Sequence, residues 1–229
     1  MHVSRCRLTE KQQDRLAEFF VGGVTARTAA DLAGVNHKTA AFFYHRLREI
    51  IAGHRLREII AGQLAQSAPF SGEVELDESY FGGHRKGKRG RGAGGKVAVF
   101  GILKRGGRVY TLVAPDLRRE TLMPIIREKV VPDSVVYTDS YNVYDILDVS
   151  EFHHHRIDHS AAFVRNKHNH INGIENFWNH AKRTLSRYNG IPRSNFALFL
   201  KEAEFRFNYG TPRDQLRQIK RWVRHATDA

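Results

Sequence analysis

The spacing of apolar residues changes at Glu73, and that change limits what the chain can fold into. Before it, residues 9–62 carry apolar side chains at helical spacing, as at Leu16, Phe19 and Phe20. After it, short apolar runs are separated by turn residues. Residues 73–81 alternate in their first half, residues 96–103 and 108–114 are apolar runs, and Lys104-Arg105-Gly106-Gly107 between them signals a hairpin. Helical spacing returns at 119–130 through Leu122, Ile125, Ile126 and Val130. Residues 134–138 read as a short buried strand ending at Asp139, 142–147 as a short helix, and the region around 155–157 as another strand. Residues 171–188 and 195–208 read as amphipathic helices. This order predicts an α/β fold with a mixed sheet, three of its strands antiparallel, and flanking helices, preceded by a small all-α domain. The expected boundaries are 1–62, a linker at 63–72, the α/β domain at 73–209 and a basic C-terminal tail at 210–229.

Within the first part, the run Thr25–Phe43 has the pattern of a helix-turn-helix. Ala30, Gly34 and Ala40 fall where that motif needs a small contact residue, a turn glycine and a buried second-helix residue. Ala29, Ala33, Val35 and Phe43 supply the other inner positions. Asn36 is placed to cap the second helix, whose first turn then offers His37, Lys38 and Thr39 to DNA. An ordinary helical hairpin is the plainer alternative. Residues 45–53 and 54–62 are an identical tandem repeat, His-Arg-Leu-Arg-Glu-Ile-Ile-Ala-Gly. Nine residues are about 2.5 turns at about 3.6 residues per turn, so an unbroken helix would turn the apolar face of the second copy away from that of the first. A continuous helix is expected, with Gly53 as a helix stop the alternative.

The formal net charge of +13 calls for a polyanionic partner. A membrane surface is the weaker candidate, because no apolar run approaches the roughly 20 residues needed to span a bilayer. The N-terminus has no apolar core after its charges, so no secretory signal is expected. Cys6 is the single cysteine, which excludes an internal disulfide framework or a cysteine zinc site and fits a reducing cytosol. Residues 84–96 hold six Lys/Arg and no acid. Their glycines and charges suit contact with a DNA backbone through Arg85, Lys86, Lys88, Arg89 and Arg91, without sequence readout.

Against this basic background the acids stand out. Between His159 and Lys201 the only acid is Glu175, among seven Lys/Arg. Asp139 ends a strand-like run and Asp77 lies within another. Three carboxylates, two on strands and one on a helix, are able to hold two divalent cations for phosphoryl chemistry. Each has a structural alternative. Asp77 could be a solvent-facing strand acid with Glu73 and Glu75, and Asp139 a helix N-cap. Glu175 could complete a capping box with Asn172, worth about 1 kcal/mol. At 100° per residue, however, Glu175, Asn179, Lys182 and Ser186 lie opposite the apolar stripe Ile174, Phe177, Ala181, Leu185 and Tyr188. That arrangement lets Glu175 hold a metal while Lys182 meets a phosphate. His168 and His170, just before this helix, are candidate auxiliary groups, as is Asn179. The run His153-His154-His155 reads as a polar edge strand rather than a zinc site.

Three blocks, Leu76-Asp77-Glu78-Ser79-Tyr80-Phe81-Gly82-Gly83, Tyr137-Thr138-Asp139-Ser140-Tyr141 and the segment 170–183 around Glu175, resemble small bacterial insertion-sequence transposases of the DDE superfamily, the ISXO2-like group. The resemblance covers about residues 9–209. It implies an RNase H-like catalytic fold, as in retroviral integrases, preceded by a helix-turn-helix. It also implies Asp77, Asp139 and Glu175 as the catalytic, metal-binding triad, with Mg2+ or Mn2+ as cofactor, and Lys182 near the transposon-end DNA. The implied activity is cleavage of insertion-sequence ends and joining of the 3′ ends to target DNA by two-metal phosphoryl transfer. The implied partners are double-stranded DNA and further copies of the chain, as a homodimer or higher oligomer, in the bacterial cytoplasm at the nucleoid. A non-catalytic DNA-binding protein and a structure-selective RNase H-like nuclease are the alternatives. Many relatives begin with a cysteine zinc ribbon, absent here, and the nine-residue repeat has the look of an insertion.

Overall fold

The computed structural model describes residues 3, 7–61, 69–82, 96–139, 144–145, 147, 151–157, 171–188 and 190–227, with no description of side chains at 54–61 and 225–227. The chain divides into two compact units, residues 1–67 with 184–229, and residues 68–183.

The helical unit is built on α1 (Glu10–Val21), α2 (Ala26–Ala33), α3 (His37–Ala61), α6 (Arg193–Asn208) and α7 (Pro212–Thr227). A capping box of Thr9 and Gln12 starts α1. Gly34 ends α2 at φ 63°, a left-handed conformation that favours glycine. The Asn36 side chain then accepts the Lys38 N–H at 2.9 Å at the start of α3. Ala29, Ala30, Ala40 and Phe43 are all buried in one core with Leu16, Phe20 and Leu47. The inner positions read from the sequence therefore do pack together. Helix α3 runs without a break through Gly53 to Ala61, and Leu47 and Ile51 of the first repeat copy lie in the core.

The C-terminal segment departs from expectation. Residues 210–229, read as a basic tail, contain α7, and its Ile219, Trp222 and Val223 join the same core as α1 and α3. Their spacing of three and four residues is a helical stripe that the surrounding arginines and lysines obscure. Helix α6, assigned from sequence to the α/β part, also packs here. Buried Glu202 accepts from Arg48 on α3 at 2.6 Å and from Arg206 at 2.6 Å. Arg206 further donates to the carbonyls of Phe20 and Val21 at 2.6 and 2.9 Å, satisfying the end of α1.

The second unit is a five-stranded sheet in the order β3-β2-β1-β4-β5. Its strands are β1 (Glu73–Phe81), β2 (Val97–Lys104), β3 (Val109–Val113), β4 (Val135–Asp139) and β5 (His153–Ile157). The first three are antiparallel neighbours, and β4 pairs parallel to both β1 and β5. Side chains alternate between faces along a strand. Val74 and Leu76 of β1, with Phe100, Ile102 and Val136, pack in one core with Leu122, Met123 and Ile126 of α4 (Arg119–Lys129). The other face receives α5 (Asn172–Ser186). There Gly101 of β2 is a close-approach residue, since a Cβ on it would lie 2.5 Å from Trp178 of α5. β5 is an edge strand, as its histidines suggested. His155 stacks on Tyr137 at 5.5 Å, and His154 Nε2 lies 2.8 Å from the Thr138 hydroxyl.

Candidate functional site

The parallel pairing of β1 with β4 places the two aspartates. Glu75 is registered with Tyr137, the last pair of that ladder. Asp77 and Asp139 each lie two residues further on, so they occupy matched positions on neighbouring strands and point to the same face. Oxygens of Asp77, Asp139 and Glu78 lie within 4.8 Å of one another. Glu78 was not singled out from the sequence, because period-two alternation assigns it to the opposite face from Asp77. Its Oε2 accepts the hydroxyl of buried Tyr144 at 3.0 Å. Burial first, then the Glu78 carboxylate, push the Tyr144 hydroxyl well above its usual range, so it stays a donor. No pattern in the sequence marks Tyr144 for this contact.

Glu175 sits half-buried in the first turn of α5. It is not among the three acids grouped within 4.8 Å, yet its charge acts on Asp77. Burial, then Glu78 and Asp139, and last Glu175 raise the Asp77 carboxyl to about 7 from its ordinary 3.8. The charged side chains that act on it most strongly, Glu78, Asp139 and Glu175, are all acids. Such a set of hard oxygen donors under mutual repulsion fits a divalent cation of the Mg2+ or Mn2+ type.

The start of α5 is fixed from the sheet rather than by the capping box read from Asn172 and Glu175. The Glu175 N–H bonds to the Ile171 carbonyl at 3.1 Å, so the helix begins one residue early. The next orphan donor, Ile174 N–H, is accepted at 2.9 Å by Glu75 of β1. Glu75 is 1% exposed, and its second oxygen accepts from Arg105 Nε at 3.0 Å. Arg105 in turn lies 3.6 Å from the centre of the Tyr137 ring and donates to Glu73. Gly173 makes room for this contact, since a Cβ there would meet Glu75 Oε2 at 2.8 Å. The face of β1 that carries Glu75 and Asp77 is therefore covered by α5, not turned to solvent.

Along α5, Ile174, Phe177 and Ala181 are fully buried and Leu185 nearly so, while Asn179, Lys182 and Ser186 are exposed. The Lys182 ammonium lies 5.8 Å from the Phe81 ring centre, on the Asp77 face of β1. In the helical unit, His37 and Lys38 are exposed and Thr39 half-exposed in the first turn of α3. Arg85, Lys86, Lys88, Arg89, Arg91, His168 and His170 lie outside the described residues. No described helix is long and apolar enough to cross a membrane.

A mixed α/β sheet with flanking helices and a carboxylate cluster on adjacent parallel strands defines a class of fold and site. Residues 69–208 match the family of the ISXO2-like transposase domain. The chain belongs to that family of DDE transposases. An uncharacterised transposase-like protein of Haemophilus influenzae is 57% identical over 117 residues, 51% of this chain and 94% of that protein. An uncharacterised protein in transposable element ISH50 of Halobacterium salinarum is 27% identical over 152 residues, 59% of this chain and 52% of its own length. Among solved structures, a pre-cleavage Mos1 transpososome matches with a TM-score of 0.35 and 10% identity, covering 100% of this chain and 80% of that one. The Mos1 strand transfer complex matches with a TM-score of 0.30 and 11% identity, covering 100% and 81%.

Proposed function

We propose that the protein cleaves the ends of an insertion sequence and joins the freed 3′ ends to target DNA by metal-dependent phosphoryl transfer. The observation that carries this reading is the matched placement of Asp77 and Asp139 on β1 and β4, with Glu175 in the helix turn anchored by Glu75. In this reading Asp77, Asp139 and Glu175 hold the metal, and Glu78 adds a fourth carboxylate beside them. Bound there, two divalent cations would activate the attacking water or 3′-hydroxyl and stabilise the leaving 3′-oxygen. Lys182 meets a backbone phosphate of the strand being cut, fixing the scissile bond over the carboxylates. The first turn of α3, with His37, Lys38 and Thr39, supplies sequence preference, and the basic residues 85–91 supply affinity without readout. Two DNA segments, the element end and its target, must meet, so a homodimer or larger assembly on double-stranded DNA is the working form.

Incubation of the protein and Mg2+ with DNA that spans the element's boundary tests this. The expected products are a nick at the element end and, with added target, a joined strand. Equal cutting of DNA lacking the end would indicate a structure-selective nuclease. Binding without any cutting would indicate a non-catalytic DNA-binding protein.

A further inference from the structure

The helical unit carries a half-open cavity of about 840 Å3 that the proposed cleavage chemistry does not use. Such a volume lies within the range of roughly 300–1,000 Å3 common for small-ligand sites. It opens between the start of α2, one face of α3, the turn after α5 and the start of α6. Arg27, His37 and Arg187 are exposed cationic or titratable groups on its wall, and no carboxylate lines it among the described residues. Arg187 is held in place by a bond from Nη1 to the Gly23 carbonyl at 3.3 Å. Phe42, Tyr188 and Phe199 supply aromatic surface, with Thr25, Ala41, Pro192 and Asn195 between them. Phe42 is 46% exposed, on the face of α3 turned away from the buried Phe43. Arg48, also on the wall, is already committed to Glu202 and to the Phe199 ring at 3.8 Å.

An exposed ring beside cations with no carboxylate on the same wall selects a ligand that is flat, partly apolar and anionic. A nucleotide has these properties, and base stacking on an aromatic side chain beside backbone-tracking cations is the usual chemistry of single-strand binding. A paired base inside a duplex has both faces stacked and none to offer Phe42. We propose that this cavity is a binding site for an unpaired nucleotide of single-stranded DNA. The base lies against Phe42, and the flanking phosphates meet Arg27 and Arg187. The site adjoins the first turn of α3 through His37, so it lies where a strand frayed from a bound duplex would be within reach. It shares with the proposed function the premise that DNA is the partner, but it does not depend on cleavage.

The test uses the full chain in EDTA, so that failure of the metal chemistry cannot mask the result. Fluorescence anisotropy measures binding of a short labelled oligothymidylate and of a blunt duplex. Phe42→Ala is expected to weaken oligothymidylate binding about tenfold, the effect of losing one stacked base, while duplex binding changes less than about twofold. Phe42→Trp is expected to restore the affinity, with indole fluorescence quenched by oligothymidylate beyond any quenching by duplex. Arg187→Gln is expected to weaken oligothymidylate binding and reduce its salt dependence. Equal effects of Phe42→Ala on both DNAs, no effect on either, or absence of quenching in Phe42→Trp would each overturn the proposal. A loss of self-association in Phe42→Ala with unchanged oligothymidylate affinity would overturn it in favour of a subunit contact.

Discussion

Burial and neighbouring charge raise the Asp77 carboxyl to about 7, against 3.8 for an ordinary aspartate. The folded protein therefore binds a proton that the unfolded chain has released between those two values. Stability of the metal-free protein is full below pH 3.8 from this group and declines as pH rises through about 7. In EDTA, Asp77→Asn should raise the melting temperature at pH 8 and flatten its decline with pH; an unchanged profile in scanning calorimetry would show that Asp77 is not under this strain. A divalent cation bound at the proposed site would act on the same balance, because it would hold the carboxyl ionised. Mg2+ should therefore raise the melting temperature of the wild-type protein more than that of Asp77→Asn. The two aspartates are legible in the sequence because each sits at a strand-like run in a basic chain. Glu78 is not, since a period of two assigns adjacent residues to opposite faces and says nothing of how far a longer side chain reaches.

Helix α5 shows at its start what a sequence pattern leaves out. The spacing of Asn172 and Glu175 suits a capping box, and as local chemistry that reading is sound. The structure uses Glu75, from a strand 99 residues away in sequence, to accept the Ile174 N–H. Only the fold brings that carboxylate to the helix, so no local signal could reveal it. Glu75→Ala should destabilise the α/β unit by about 2–3 kcal/mol, since it leaves a buried N–H unsatisfied and loosens Arg105. Glu75→Gln should recover part of this through its amide oxygen. Urea unfolding measures both, and an Ala variant as stable as wild type would mean that the cap contributes nothing. Gly101→Ala offers a second check on the same helix. Its Cβ would overlap Trp178, so a loss of about 1–3 kcal/mol is expected from overpacking. The helices and strands themselves are largely legible, because α5 carries a clean helical stripe and β2 a continuous apolar run. Helix α7 is not, because Ile219, Trp222 and Val223 are too few to stand out among its charges.

For the whole molecule, net charge and unit organisation bear on how the proposed DNA partner would be held. The excess of +13 predicts binding that weakens steeply with salt. Neutralising Arg85, Lys86, Lys88, Arg89 and Arg91 should flatten the log–log salt dependence by about 0.9 for each phosphate that these side chains no longer neutralise. An unchanged slope in a filter-binding series would place those residues away from DNA. The division of the chain is only partly readable. The start of the α/β unit follows the change of period near Glu73, but residues 184–229 return to the helical unit through pairs such as Arg48 with Glu202, which sequence order hides. The proposed reaction stands or falls on whether Asp77, Asp139 and Glu175 act as one metal-dependent site. The deciding measurement is strand cleavage of end-containing DNA in Mg2+ by Asp77→Asn, Asp139→Asn and Glu175→Gln, each with DNA binding followed alongside. Every one of the three is expected to lose cleavage while retaining binding close to that of wild type. Cleavage at the wild-type rate by any one of them would contradict a shared site.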